Sequence, residues 1–556
     1  MVLRTGAARQ NWGLGRRFQP WFLRVIPVVF LVACLVSCAH APRWTPQTVE
    51  PPQSVEVAQE SAAQAVEEEE RAKPPSDKSG VAPAPQASSL ALTRDGAVLT
   101  ALARNRSLAV AQFEPEIAAT YIQESRGAFD PALLATVSYG RDTRPYSQTG
   151  LTSVAVGEPV VSRQFQTDLS ISEFLPTGTE VFLSGGFSRS RSSSDWDYEG
   201  SWSVSLNQSL LRGIGPDANL VTLRQARNTA AKSRHEFRSS VLELVYQVEN
   251  AYWELVLATR TLKIREFSVQ LAKDQLGLNQ DLIAVGKLSR DSRVSAEAEL
   301  ASRKADLVDA RIAVRERTID LIRLLNPDAE AQWGLTFETL DPADIERVDL
   351  SPKISVRLAA LYRPELAQSR LELANRDLEV VRTRNGLLPK LDAFASYGRL
   401  SSGATGSDAS SHLNDSMFDS YQFGLSLDMS PLNRAEIASH RRAKFHQQQA
   451  EVAIENLERV IEAEVRQAAL EVERQWESIA ATDEVVKSRQ EELKVEENRF
   501  IVGKSTNLDV SQVHRDLIQA QLDEVTARVR YIQAITSLYL TEGTLLSRRG
   551  VGSALE

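Results

Sequence analysis

The chain has 556 residues, room for two or three ordinary domains or for one very elongated one. Lys plus Arg number 64 against 73 Asp plus Glu, a net charge of −9, which leaves no electrostatic case for nucleic-acid binding. Two cysteines exclude a disulfide scaffold and a thiolate metal cluster.

The chain opens with a basic segment, Arg4, Arg9, Arg16, Arg17 and Arg24, and an apolar run from Val25 to Val36. That run is shorter than the ~20 residues of a spanning helix and reads as a secretory signal. It ends in Leu35-Val36-Ser37-Cys38, which resembles a bacterial lipoprotein cleavage box. The resemblance implies a signal peptide over 1–37 and lipidation of Cys38; Ala39 in place of Asp favours the outer membrane. Residues 38–90 follow as a Pro-, Ala- and Glu-rich tether whose composition cannot bury a core.

The rest is one pattern written twice. A shift of 258 residues aligns Leu108 with Leu366, Arg126 with Arg384, Pro131 with Pro389, and Ser138-Tyr139-Gly140-Arg141 with Ser396-Tyr397-Gly398-Arg399. Further along, a shift of 217 aligns Val248 with Val465, Val285-Gly286-Lys287 with Val502-Gly503-Lys504, and Ala310-Arg311 with Ala527-Arg528. The difference between the two offsets, 258 less 217, places 41 additional residues in the first copy. We therefore divide the chain into a first repeat over 91–330, a linker over 331–350, a second repeat over 351–546 and a short tail over 547–556.

Each copy reads helix, strands, long helix, turn, helix. The helices before the strands are predicted over Thr93–Ala128 and Ser351–Leu387, each ending ahead of a proline, with Pro115 expected to bend the first. Strand-like alternation follows in Leu133–Arg141, Phe165–Phe174, Val181–Ser188, around Trp202, in Leu391–Gly398 and from Tyr421 to Met429. The 22 prolines avoid Asp217 to Asn326 and everything after Pro431, which predicts long helices over 217–285 and 434–502. In the second, Leu457, Ile461, Val465, Ala468, Val472, Trp476 and Ile479 form a narrow apolar seam. About 69 residues at 1.5 Å each span roughly 100 Å, so these helices must pack as coiled coils. The strands have one apolar and one small polar face, aromatics cluster around them, and there are too few to close a barrel within one copy. Closure by cyclic symmetry is the expectation.

The run Leu102–Gly140 with Asn105, Leu108 and Pro131 resembles the outer-membrane efflux (TolC-like) repeat. So do its second copy, Arg363-Pro364-Glu365-Leu366 to Gly398, and the turns at Gly286 and Gly503; the lipoprotein box resembles the lipid-anchored branch. The implied fold is an internally duplicated α+β membrane protein, its long coiled-coil helices forming an α-barrel joined to a trimeric transmembrane β-barrel of twelve strands. The implied function is the exit duct of a tripartite export system in the outer membrane. It would act as a homotrimer with a periplasmic adaptor and an inner-membrane transporter as partners. No cofactor, catalytic residue or metal site is expected. The extra hairpin in copy one either adds strands to the barrel or extends its extracellular mouth, and extension is the preferred reading.

In such a duct the sites are a docking end, a gate and a lumen. Gly286, Lys287, Gly503 and Lys504 mark turns between antiparallel helices at the end distant from the strands, where the resemblance implies an adaptor contact. Asp509 lies where the family can carry a selectivity aspartate, and a ring of such carboxylates would attract cations and raise one another's pKa. Gln512 stands where a second aspartate can occur. Arg290, Asp291 and Arg293 are candidates for closure-stabilising pairs with an adjacent helix. The histidines His235, His412, His440, His446 and His514 read as surface or packing residues, and Glu491-Glu492 and Glu496-Glu497 as solvated faces. Two other classes are the alternatives: a lipid-anchored structural or adhesive coiled-coil protein with no transport role, and a periplasmic enzyme, for which no residue constellation speaks.

Overall fold

The computed structural model describes residues 89–146, 157–192, 196–286, 288–326, 336–340, 345–413 and 418–550. The expected signal peptide, Cys38, the tether up to residue 88 and Lys287 lie outside the described residues. The described elements all belong to one compact unit, Gln86–Glu556.

Each predicted helix ahead of the strands is in fact two. Copy one has α1 (Arg94–Arg104) and α2 (Arg106–Gly127), interrupted at Asn105. Asn105 turns extended, ψ 116°, because its side chain caps the second helix by accepting the Leu108 N–H at 3.0 Å. The break is here and not at Pro115, which lies inside α2. In copy two, α6 (Pro352–Tyr362) and α7 (Pro364–Gly386) are interrupted at Arg363, where the following proline disfavours helical backbone.

The long helices are α4 (Val221–Ala284), preceded by the single turn α3 (Pro216–Asn219), and α9 (Arg434–Ile501). Each returns through a turn into a 35-residue helix, α5 (Asp291–Leu325) or α10 (Asn507–Thr541). A last turn, α11 (Leu545–Arg548), follows α10. The packing forms four columns. On one side of α4 lie α1 and α2, with α5 continuing their column. On the other side lie α7 and α10, which in turn pack on α9.

The joint inside each short column is built twice from equivalent positions. The Asn105 amide donates to the Leu324 carbonyl at 2.9 Å, and Arg363 Nε donates to the Thr541 carbonyl at 3.0 Å. Residues 105 and 363 are one copy-offset apart, as are 324 and 541. A buried core surrounds each joint. One gathers Ala97, Val98, Val245, Tyr252, Leu321 and Leu545; the other gathers Ala359, Leu366, Val465, Val472, Tyr531 and Leu538. The predicted seam residues Leu457, Ile461, Val465, Ala468, Val472, Trp476 and Ile479 all line the second. The linker is not featureless. Its residues Thr336–Thr339 form β6, which pairs in parallel with β1 (Ser89–Leu92) at the start of copy one.

All the other strands make one antiparallel sheet: β2 (Ala132–Tyr146), β3 (Gly157–Phe174), β4 (Thr179–Ser192), β5 (Trp196–Ser209), β7 (Lys390–Gly403) and β8 (Asp419–Asp428), in that spatial order. The short helix α8 (Gly406–His412) lies between β7 and β8 in sequence and packs on β5 and β7. Copy one thus contributes four strands and copy two contributes two. This overturns the reading of the extra hairpin as an extension of the mouth. The β3–β4 turn, Leu175 to Gly178, sits at the helix end of the sheet. Its carbonyls accept from Gly215 N–H at 3.0 Å, Ser209 N–H at 3.0 Å and the Asn219 amide at 3.0 Å, all in the corner that leads from β5 into α4. Phe174 stacks on Phe129 from the α2–β2 corner, ring centres 6.1 Å apart. Such a turn lies at the end of the sheet opposite to a mouth, and the six strands of the sheet among the described residues depart from the four per copy that a trimeric twelve-stranded barrel requires.

The registers put most apolar side chains of the six strands on one face, with Leu134, Phe182, Phe394 and Leu400 on the other. Val137 opposes Thr167, Leu169 opposes Gly185, Leu183 opposes Val204, Val204 opposes Tyr397, and Tyr397 opposes Tyr421. The other face carries Ser138, Gln166, Ser188, Glu199 and Gln422. Aromatic and basic groups gather toward the far end of the apolar face, where the Arg189 guanidinium lies 3.7 Å from the Trp196 ring centre. Among the described residues no helix is long and apolar enough to cross a membrane.

Candidate functional site at the helix-hairpin tips

The two turns far from the sheet share one backbone design. Val285 and Val502 end the long helices, and Gly286 and Gly503 follow in the left-handed region, both at φ +76°. A Cβ at either glycine would meet nothing within 4 Å, so it is the dihedral and not crowding that selects glycine. The Lys504 N–H reaches back to the Arg499 carbonyl at 2.8 Å, closing the helix end as a Schellman motif does. Gly503→Ala is accordingly expected to cost about 1 kcal/mol and Gly503→Asn less, in thermal unfolding of the assembled protein.

The helices leaving the two tips begin differently. α10 starts with a capping box: the Thr506 hydroxyl accepts the Asp509 N–H at 3.3 Å, and Asp509 Oδ2 accepts the Thr506 N–H at 3.0 Å and its hydroxyl at 2.7 Å. Those Thr506 hydrogen bonds hold the Asp509 carboxyl below its ordinary pKa. α5 starts at Arg290 with no side-chain cap. Arg290 and Asp291 are exposed, and Arg293 pairs with Glu297 of its own helix at 2.9 Å. Within the chain, the ion pair found for these three is the one inside α5, Arg293 with Glu297. Gln512 is exposed and donates to Asp516 at 3.1 Å.

The groups that link the two hairpins are others. Asn279, near the end of α4, is fully buried and donates to Asn507 Oδ1 at 2.9 Å, while Gln275 donates to both, at 3.0 and 3.3 Å. Deeper in, a ladder of charges crosses from α10 through α5 to α4. Arg515 meets Glu299 at 3.1 Å, Glu299 and Asp306 both hold Arg303, and Asp306 meets Arg265 at 3.1 Å. The Arg303 side chain is only 10% exposed, so its partners are needed to offset lost hydration. The paired glutamates of α9 are likewise not all solvated faces. Glu496 accepts the Ser505 hydroxyl, and Glu497 Oε1 lies 3.4 Å from His514 Nε2.

His514 lines a cavity of about 20 Å³, room for one water, together with Gln275, Glu299, Arg303 and Ser511. Burial holds its imidazole below the ordinary pKa of 6.5; the Glu497 carboxylate opposes this shift, Arg303 adds to it and Glu299 opposes it. Since the unfolded chain then binds the proton more readily, the stability this residue confers is complete above its ordinary pKa and is lost as pH falls below it. Melting measured at pH 7.5 and 5.5 should show a steeper loss for the wild type than for His514→Gln; equal losses would refute the assignment. The histidine and the buried amides carry no motif. The one signal available in sequence was their place within two or three turns of the glycines.

Among the described residues no group of His, Cys, Asp or Glu could hold a metal ion. The tips are chemically a pair of glycine-terminated helix ends bound to each other by amides and ion pairs.

The profile of a family described as outer membrane efflux protein matches residues 162–327 and 355–544. The chain is 25% identical over 323 residues to a proteases secretion protein, PrtF, of Dickeya chrysanthemi, a match covering 56% of this chain and 66% of that protein, just under two thirds of its length. It is 23% identical over 430 residues to a pyoverdine export outer membrane protein, OpmQ, of Pseudomonas aeruginosa, covering 74% of this chain and 83% of the relative. Its fold is similar to that of the Neisseria gonorrhoeae MtrE outer membrane channel in its open state. The TM-score is 0.58 at 19% identity, over 85% of this chain and 98% of that one.

Proposed function

This chain belongs to the outer membrane efflux protein family, and from that premise we propose that it is the exit duct of an export system, a passive channel and not an enzyme. Three copies close its sheet into a barrel through the outer membrane and its helical columns into a tube through the periplasm. An adaptor and an inner-membrane transporter deliver the cargo. The lipoprotein box supports anchoring through Cys38. The relatives named for protease secretion and for pyoverdine export carry unlike cargo, so kinship supports the duct without choosing between polypeptides and small molecules.

One observation carries the reading: among the described residues, both flanks of the chain are unpartnered along sheet and helices alike. On one flank, β2 is an open edge and α2 exposes Val110, Phe113, Ile117 and Tyr121. On the other, β8 is an open edge and α9 exposes Ile437, Phe445 and Val452. A water-soluble monomer does not leave such edges and stripes uncovered; head-to-tail cyclic assembly covers both at once.

The tips, with Gly286, Lys287, Gly503 and Lys504, are then the docking end for the adaptor. Asp509 is held ionised by its capping box and supplies cation-attracting charge at the constriction, beside Gln512; Arg290, Asp291 and Arg293 border the same opening. Purified trimer reconstituted in a planar bilayer is expected to give discrete conductance steps. A folded trimer that conducts nothing would favour the structural or adhesive alternative.

A further inference from the structure

The inserted β3–β4 hairpin changes the wall of the barrel. We infer that three copies of this chain close through β2 of one and β8 of the next into a barrel of eighteen strands, six from each copy. This inference rests on the duct reading and specifies the interface between second copies of the chain.

Three features place β3 and β4 in the wall. Their pairing is continuous along their length: Ala132 to Arg144 of β2 face Ser172 to Val160 of β3, and Ser162 to Phe174 of β3 face Ser192 to Glu180 of β4. Leu169 and Ile171 of β3 and Val181, Leu183 and Phe187 of β4 point to the same face as the apolar residues of the flanking strands, as lipid contact requires, while Phe174 and Phe182 point to the other. The turn joining them is fastened to the corner where β5 becomes helix, so the hairpin cannot swing out over the mouth without giving up those hydrogen bonds.

The edges fit each other. The five antiparallel pairings leave β2 and β8 running in opposite directions, so a neighbour's β8 meets β2 antiparallel, as in every other seam of the sheet. Val137 on β2 and Phe423 on β8 are 67% and 78% exposed on the apolar face, free to continue the lipid-facing surface across the junction. Barrel diameter grows roughly linearly with strand number, so eighteen strands give about 1.5 times the width of twelve. With strands ~4.8 Å apart and tilted ~40°, the backbone cylinder is about 36 Å across instead of about 24 Å.

Deleting residues 157–192 removes β3 and β4 and leaves β2 to return directly into β5 through the outer loop, with every strand direction preserved. In electron cryomicroscopy of the trimers, the barrel of this variant should be about two thirds as wide as the wild type's. Equal widths would overturn the inference. A second measurement uses the full-length chain, whose cysteines are confined to Cys34 and Cys38. A fluorophore on Leu169→Cys should be quenched by brominated acyl chains as strongly as one on Val137→Cys. Quenching at Val137→Cys alone would remove β3 from the wall and leave the duct standing, whereas quenching at neither site would overturn the membrane-spanning reading itself.

Discussion

Replacing Glu249 by alanine is expected to cost the folded protein about 3–5 kcal/mol, the range for breaking a buried ion pair from one side. Glu249 sits in α4 with no exposed surface. Its two oxygens accept from Arg549 at 2.7 and 2.8 Å, and Oε2 also accepts the Thr536 hydroxyl at 3.0 Å. A two-pronged guanidinium–carboxylate pair of this geometry is among the stronger contacts a protein makes. Alanine would leave the guanidinium, 14% exposed, with its main partner gone. The consequence is more than local, because Arg549 follows the last helical turn of copy two while Glu249 belongs to copy one. Next to it, Arg548 meets the buried Glu542 at 3.2 Å, so two carboxylates hold the C-terminal turn onto the helical wall. Chemical denaturation followed by helix content measures the loss. The double variant Glu249→Leu with Arg549→Leu should recover most of it, since an apolar pair of similar volume carries no desolvation penalty. A loss under about 1 kcal/mol in the single variant would show that the pair is dispensable.

Gly178→Ala is the second change with a large expected effect. Gly178 closes the β3–β4 turn at φ +84°, and a Cβ there would stand 2.2 Å from the Gly213 carbonyl oxygen. A left-handed dihedral costs a non-glycine residue about 1–3 kcal/mol, and overpacking adds a similar amount. Neither atom is a side chain that could turn aside, so the corner from β5 into α4 must shift. The expected outcome is a destabilisation of about 3 kcal/mol or more, seen as an earlier midpoint in chemical denaturation. The contrast with Gly503→Ala isolates the crowding, since that glycine has a similar dihedral in open space. Equal costs at the two sites would mean that the turn is not fastened to the corner.

The outcome for the helices shows which kinds of inference from sequence succeed. The long helices were legible to within a few residues, because absent prolines and a three-to-four-residue apolar period act within one segment. The glycine turns were legible for the same reason: a left-handed residue at a helix end is a local demand. The breaks at Asn105 and Arg363 were missed, although Pro364 offered a signal. Their side chains are held by carbonyls at Leu324 and Thr541, more than 170 positions away, and nothing near them in sequence announces that partner. Asp509 stands in the first turn of α10, six residues after Gly503. Its engagement by Thr506 could have been read from the Thr-x-x-Asp spacing of a capping box. The groups that join the two tips, Asn279, Asn507, Glu299, Arg303 and Arg515, are ordinary polar residues until packing brings them together.

From the sequence alone followed the duplication, the element types, the glycine turns and the alternating faces of the strands, all of which depend on backbone preference and short-range periodicity. The tertiary structure decided that the extra hairpin stands in the sheet, that the short helices are jointed, and which charges pair across the hairpins. Those outcomes depend on contacts between segments remote in the chain, where many pairings satisfy the same local pattern. Only the packed arrangement selects among them, by burying one set of apolar faces and leaving the fewest polar groups without a partner.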